Sequence, residues 1–273
     1  MVIIIKGADY SANNLGQIEV PYTKQAETVS YLSAISTTAE ALNYTKTKAL
    51  DSYIKTLKNA SIWGKIQHVF IPAFGRVDGS VSLKTPSYSL GLPNDSAYAS
   101  YSNLGVKFAK GWLSPLQLNF KNDVNGINQT FGGYNTEARP TAQGDNTSVM
   151  MTNTPSYGLL GRRISTGLYS GLLISSALTR LQTQNRSYST GLLLATIQAN
   201  QQSVNIDGEY ISATQTFTGS SDRNLILGSN AIDNTSAILN ASLGLLFFST
   251  ALSQSEVAVV NSATNELMLK LLA

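Results

Sequence analysis

The sequence predicts a mainly β chain folded as a β-sandwich, and three observations carry that expectation. Short runs of strand-forming residues recur between clusters of Gly, Pro, Asn and Ser through the middle of the chain. That spacing suits a sandwich and not alternating βα units. Asp207-Gly208 stands between runs holding Val204 and Ile206 on one side and Tyr210 and Ile211 on the other. This is the strongest short hairpin signal, because the tight turn needs positive φ at its central positions. Finally, 273 residues without a cysteine can bury a full core unaided by disulfides or thiolate-bound metal.

Residues 1–22 open with Val2-Ile3-Ile4-Ile5 and turn polar at Ser11-Ala12-Asn13-Asn14. They read either as a first strand on their own domain or as an arm docking on a neighbouring subunit, and both readings stay open. Residues 23–62 form a helical segment. In its first part Ala26, Val29, Leu32 and Ile35 are spaced by three. In its second, Ala49, Leu50, Tyr53, Ile54 and Leu57 make a helical stripe with Lys46, Lys48, Lys55 and Lys58 outside it. The sandwich domain then runs over 63–273, with Trp63 as a core plug and a strand at 65–71 closed by Pro72. Further strands are expected at 80–83, 105–108, 116–120, 131–134, 148–152, 158–164 and 171–174.

The run Gly191-Leu192-Leu193-Leu194-Ala195-Thr196-Ile197 lacks alternation, so length alone leaves strand and short helix both open. After the hairpin come a strand at 224–228 and a last one at 241–248. Ser253 and Glu256 have capping-box spacing. Beyond them Val257, Val260, Leu267, Met268, Leu271 and Leu272 suggest a short C-terminal helix that bends near Asn261.

The order hairpin, strand, strand, helix, on residues 204–210, 225–228, 244–248 and Ala251-Leu252-Ser253 with Glu256-Val257, resembles the C-terminal half of laminin G-like, concanavalin A-like jelly-roll domains. The resemblance implies a concanavalin A-like jelly roll and makes the 191–197 run its central strand. Residues 43–73 and the opening 5–14, with its Gly7-Ala8-Asp9-Tyr10-Ser11, are similar to the start of structural proteins of tailed phages infecting gut Bacteroidetes. This implies a capsid-decoration, fibre or tail component of a virion. Such a component would be made in the host cytoplasm, would assemble as a homo-oligomer (a trimer in such fibres) and would contact other virion proteins.

Charged residues make up 13% of the chain, and the 19 basic and 16 acidic side chains are scattered. Nucleic-acid binding needs a clustered basic face, so no such partner is expected; Arg162-Arg163 is the densest pair. No apolar stretch approaches the ~20 residues of a membrane span. The Val2–Ile5 run is too short for a signal-peptide core and is followed, not preceded, by Lys6, so no signal peptide and no membrane insertion are expected.

Glycoside hydrolysis would place two carboxylates ~5 to 9 Å apart across a sugar. The Glu-x-Asp-x-x-Glu string of glucanases with the jelly-roll scaffold is missing, and Asp207 and Glu209 merely straddle the hairpin glycine. The single histidine, His68, reads as a structural residue. One His and no Cys leave no zinc site, and no Gly-x-Ser-x-Gly elbow stands beside it. The chain is therefore expected to be no enzyme and to carry no cofactor.

Calcium is the one metal left open, at Asp145 with Asn146, at Asp222, or at Asp233 with Asn234. Glycan contacts would fall on Tyr134 and Asn135, in the run from Phe131 to Glu137, and on Tyr157, with Tyr98 and Tyr101 as further aromatics. The assembly arm would be Val2, Ile3, Ile4 and Ile5. The expected function is a virion structural protein acting through self-association and surface contacts. The alternative is a lectin-like carbohydrate-binding adhesion module whose partner is host surface polysaccharide.

Overall fold

The computed structural model describes residues 23–35, 42–118, 122–123, 126–137, 146–152, 158–164, 168–174, 180–182, 186–187, 190–198, 201–206, 208–214, 223–228 and 242–273. Helices α1 (Ala26–Ala34) and α2 (Tyr44–Asn59) come first. The strands are β1 (Ile66–Phe70), β2 (Ala99–Ser102), β3 (Gly105–Phe108), β4 (Trp112–Leu118), β5 (Asn122–Asp123), β6 (Gly126–Ile127), β7 (Gln129–Asn135), β8 (Asn146–Thr152), β9 (Gly158–Ile164), β10 (Leu168–Ile174), β11 (Arg180–Gln182), β12 (Arg186–Ser187), β13 (Gly191–Gln198), β14 (Gln201–Ile206), β15 (Glu209–Thr214), β16 (Arg223–Leu227) and β17 (Leu243–Thr250). Helix α3 (Gln254–Leu272) closes the chain.

Among the described residues β5 and β6 pair with each other alone, and the other strands build two antiparallel sheets. The first runs β15-β14-β13-β7-β17-β3-β2, with β1 also on β17; the second runs β11-β10-β9-β8-β16-β4, with β12 also on β10. They face one another, β10 and β11 lying across from β14 and β15, and β9 across from β13. The molecule is thus a mainly β sandwich. The three helices form a third layer on the outer face of the first sheet: α1 packs on α2, α2 on α3, and α3 on β13.

That layering explains the unalternating runs. On β13, Leu193, Ala195 and Ile197 join the core between the sheets, while Leu192 and Leu194 join the core under the helices. On β17, Leu246 and Phe248 point to the first core, and Leu245 and Phe247 to the second. A strand wetted on neither face gains from an apolar residue at every position. Between them lies β7, where a Cβ on Gly132 would strike the backbone carbonyl of Leu193 on β13.

Several expectations are met. Leu50, Tyr53, Ile54 and Leu57 are the buried stripe of α2, whose Asn43 cap accepts the Lys46 N–H at 2.9 Å. Trp63 lies in the core under the helices. The 204–211 segment is a two-residue hairpin, with Ile206 paired to Glu209 and Gly208 at φ +92°. Ser253 and Glu256 close a capping box at the start of α3.

Others are corrected. The buried face of α1 is Thr28 and Tyr31, with Ile35 just after it; of the spacing-of-three row Ile35 is buried and Leu32 partly so, while Val29 is 50% exposed. The large Tyr31 ring fills the interface, and the Thr28 hydroxyl is turned inward to donate to Asp51 of α2 at 2.8 Å. Residues 80–83 are not a strand. Asp78–Ser80 is a 3-10 turn held by the Ser80 hydroxyl on the Val77 carbonyl at 2.7 Å, leaving a single bridge between Val81 and Ser89. Helix α3 is 19 residues long and passes through Asn261 without a break, because Ala263 and Thr264 fill the gap between Val260 and Leu267 on its buried face. Strand β2 had no distinct signal of its own. The arm residues Val2, Ile3, Ile4 and Ile5 lie outside the described residues.

Candidate functional site

Near its β15 edge the first sheet meets the start of α3. Strands β14 and β15 turn Val204, Ile206, Ile211 and Ala213 toward the second sheet. By alternation Gln201, Ser203, Tyr210 and Ser212 face the other way. There they meet Thr196 and Gln198 of β13 and the start of α3 at Leu252, Ser253 and Gln254. The nine side chains enclose a cleft of ≈ 240 Å³.

Its lining is hydroxyls, amides, one phenol ring and the aliphatic Leu252, without a carboxylate or a cationic side chain. The helix start that forms one wall has its own needs met. The Ser253 N–H donates to Glu256 at 2.8 Å, and the Glu256 N–H donates to the Ser253 hydroxyl at 3.3 Å. Lys65 closes on Glu256 at 2.7 Å. Burial raises the Glu256 carboxyl, but the Lys65 and Ser253 hydrogen bonds outweigh it and hold it below its ordinary value. The floor is tied down by Thr130 of β7, whose hydroxyl lies 2.8 Å from that of Thr196 and accepts the Leu252 N–H at 2.9 Å.

A second hollow, a groove of ≈ 330 Å³ between α2 and α3, is lined among others by Tyr44, Lys48, Tyr53, Glu266 and Lys270. It is larger, but its polar groups are mostly long surface side chains that order only at an entropic cost. The sheet cleft has its groups fixed on strands, and it is the better-built site.

The sequence-predicted glycan contacts are not there. Tyr134 is 5% exposed within the core under the helices, and Asn135 is 1% exposed. The strand expected at 131–134 is the central β7, flanked by β13 and β17, so both residues are corrected to interior positions. Tyr157 lies outside the described residues. Tyr98 stacks edge-on against Trp112 with Lys110 over its ring, and the Tyr101 hydroxyl donates to the Pro93 carbonyl at 2.6 Å. Burial pushes the Tyr101 phenol up to about 12, with Arg76 opposing. Both pack an edge of the sandwich.

His68 is half-buried, with Nδ1 3.3 Å from the Ser82 hydroxyl and its ring against Phe70 and Tyr88. Burial lowers its pKa. Of the calcium candidates, Asp145, Asp222, Asp233 and Asn234 lie outside the described residues, as does Asp207, while Asn146 opens β8. Among the described residues no three His, Asp or Glu side chains gather as a metal site, and no helix is long and apolar enough to cross a membrane.

The cleft residues escaped notice in the sequence because none is distinctive alone. The one signal was the alternation of Tyr210, Ser212 and Thr214 with Ile211 and Ala213, which marks a strand with one polar face.

No protein-family model matches the sequence, and no curated protein matches it. Solved structures do. Trypanosoma rangeli sialidase in complex with a difluorinated KDN derivative superposes with a TM-score of 0.54 at 11% identity, over 81% of this chain and 40% of the sialidase chain. The same sialidase in complex with sialic acid gives a TM-score of 0.52 at 12% identity, over 81% and 39%. Domain 4 of AbnA, a GH43 extracellular arabinanase of Geobacillus stearothermophilus in complex with arabinotriose, gives 0.41 at 15% identity, over 60% and 80%.

The sialidase matches show a shared fold, a β-sandwich of jelly-roll type, and this chain spans about 40% of the sialidase's length. They also correct the expectation that the chain is no enzyme. Its fold is found within enzymes, so a missing glucanase string does not set it apart from them. None of these three matches is to a phage protein.

Proposed function

We propose that the chain is a carbohydrate-binding β-sandwich module that seats a glycan in the cleft on β13, β14 and β15. The observation that carries this reading is the lining. Thr196, Gln198, Gln201, Ser203 and Ser212 offer donors and acceptors in an uncharged hollow, and Tyr210 offers a ring beside them. Sugars present hydroxyls around an apolar face, so hydrogen-bonding groups and one aromatic surface are the chemistry that holds them. With no charge in the lining, a neutral polysaccharide fits better than an acidic one, whose carboxylates would lose water without gaining a cation.

The test is retention of the protein in native gels containing laminarin, arabinan, xylan or dextran. At least one polysaccharide should retard the chain. Ser212→Trp, at an exposed position that can fill the cleft without touching the core, should abolish the retardation. Tyr210→Ala should weaken binding about tenfold, equivalent to ~1.4 kcal/mol. Lys48→Ala, in the helical groove, should bind as the native chain does. Retardation by none of the four, or retardation indifferent to Ser212→Trp, overturns the proposal.

The similarity of residues 5–14 and 43–73 to phage structural proteins supports a setting for such a module. In that setting it is displayed on a virion, in a homo-oligomeric head or tail assembly, and contacts host surface polysaccharide. Sedimentation of the purified chain checks the first step, since a monomer at high concentration would exclude self-assembly.

A further inference from the structure

We infer that Thr196 is the residue that decides which sugar oxygen the cleft accepts, and that Thr130 is its positioning residue. The inference rests on the carbohydrate reading above and deepens it. Thr130 and Thr196 sit opposite one another on β7 and β13, on the face turned toward α3, with their hydroxyl oxygens 2.8 Å apart. Thr130 is fully buried, and its oxygen also accepts the backbone N–H of Leu252 at 2.9 Å, just before the cap of α3.

Those two neighbours settle the direction of the bond between the hydroxyls. The Leu252 N–H can only donate, so the one acceptor open to the Thr130 proton is Thr196. Were Thr196 the donor instead, Thr130 would keep a buried proton with no acceptor, which is the costly arrangement. Thr130 therefore donates and Thr196 accepts. Among the described residues no protein acceptor takes the Thr196 proton, and Thr196 lines the cleft.

Most of the other lining groups can exchange roles, Ser253 excepted, whose hydroxyl accepts the Glu256 N–H. Ser203 and Ser212 hydroxyls rotate, and the amides of Gln198 and Gln201 turn over to offer oxygen or nitrogen. Thr196 is more constrained, because one of its two acceptor lone pairs is committed to the buried Thr130 hydroxyl and its χ1 is stiff. Its oxygen is held in place at the floor, and its proton and remaining lone pair are confined to two directions. A sugar with a hydroxyl or ring oxygen at that point is taken, and one with hydrogen alone there leaves the donor unsatisfied. A group oriented by the fold loses little freedom on binding, so it discriminates more strongly than a mobile one.

The experiment measures affinities for laminarin, arabinan, xylan and dextran by native gel retardation, with melting temperatures recorded for each variant. Thr196→Val keeps shape and removes the donor, and should weaken the tightest of the four about tenfold. It should also compress the ratio between the tightest and the weakest. Thr196→Ser, which keeps the hydroxyl, should restore most of both. Thr130→Val leaves Thr196 in place but free to rotate, so it should lower the ratio and the affinity by a smaller factor, and Thr130→Ser should rescue it. A purely structural pair would lower the melting temperature while leaving the ratio unchanged, and that result overturns the inference. Binding that Ser212→Trp abolishes but Thr196→Val leaves intact also overturns it, with the carbohydrate reading standing. Retardation by none of the four polysaccharides overturns both.

Discussion

Helix α1 is held at its first turn by a side chain from a different helix, and removing that side chain gives a sharp test of how the helical layer is built. Asp51 of α2 is buried, and its Oδ1 accepts the Gln25 N–H at 2.6 Å and the Thr28 hydroxyl at 2.8 Å. Gln25, the residue at the cap position, makes no side-chain cap of its own. The carboxylate of Asp51 thus does from outside what an Asp or Ser cap does from within, and it meets the positive end of the α1 dipole.

Hydrogen bonds to a charged acceptor contribute ~1.5 to 3 kcal/mol each. The Gln25 amide is only part-buried and recovers water once freed, whereas the Thr28 hydroxyl is fully buried and does not. The expected loss for Asp51→Ala is therefore about 3 kcal/mol, below the simple sum of two such bonds. Asp51→Asn, which keeps one carbonyl oxygen, should lose about half as much.

The loss should fall first on α1. Its other anchors are Tyr31 and Ile35 in the core under the helices and an exposed Lys58–Glu27 pair at 2.8 Å, which contributes little. Amide hydrogen exchange across 26–34 should accelerate by one to two orders of magnitude before β7, β13 and β17 respond. Urea unfolding should show a lower midpoint with a similar slope. Unchanged exchange in α1 with an unchanged midpoint would refute the reasoning, and so would acceleration spread evenly over the strands.

Two further outcomes follow from the packing. Glu256 and Glu27 both titrate below their ordinary value, the first because the Lys65 and Ser253 bonds overcome burial, the second chiefly through Lys58. A carboxylate depressed in the folded state stabilises above its unfolded pKa and loses that stability as pH falls through the folded one. The native chain should therefore weaken below about pH 4.5, and Glu256→Gln should flatten that decline while fraying the start of α3; thermal melts between pH 3 and 7 check both. Gly132→Ala should be poorly tolerated. Its methyl would enter the Leu193 carbonyl on the next strand, and a backbone atom cannot swing aside, so a cost of about 3 kcal/mol or more and low soluble yield are expected.

Local pattern made much of this fold legible. The Asp207-Gly208 hairpin, the Leu50-Tyr53-Ile54-Leu57 stripe and the Ser253 to Glu256 box were readable because each is a short-range rule: a turn geometry, a helical period, a reciprocal pair of bonds. The strandlike runs around 105–108, 131–134 and 158–164 were readable for the same reason. Where the rule was weak the reading slipped. The row of residues three apart in α1 caught Ile35 and part of Leu32 but missed Thr28 and Tyr31, and the 80–83 segment alternated without having a partner strand.

The sequence by itself therefore determined the class, a mainly β sandwich with helices at both ends, because periodicity and turn chemistry act over a few residues. Only the tertiary structure decided that the helices cover one sheet, which turned Tyr134 and Asn135 from candidate glycan contacts into interior groups. Only it placed Thr196, Gln201, Ser203 and Tyr210 around one cleft, since those residues come from three strands whose outward faces meet through register and not through spacing. A site made of ordinary polar residues has no local signature. Its chemistry arises when the ladder sets them side by side and when a buried hydroxyl on a strand from elsewhere in the chain, Thr130, lies 2.8 Å from that of Thr196.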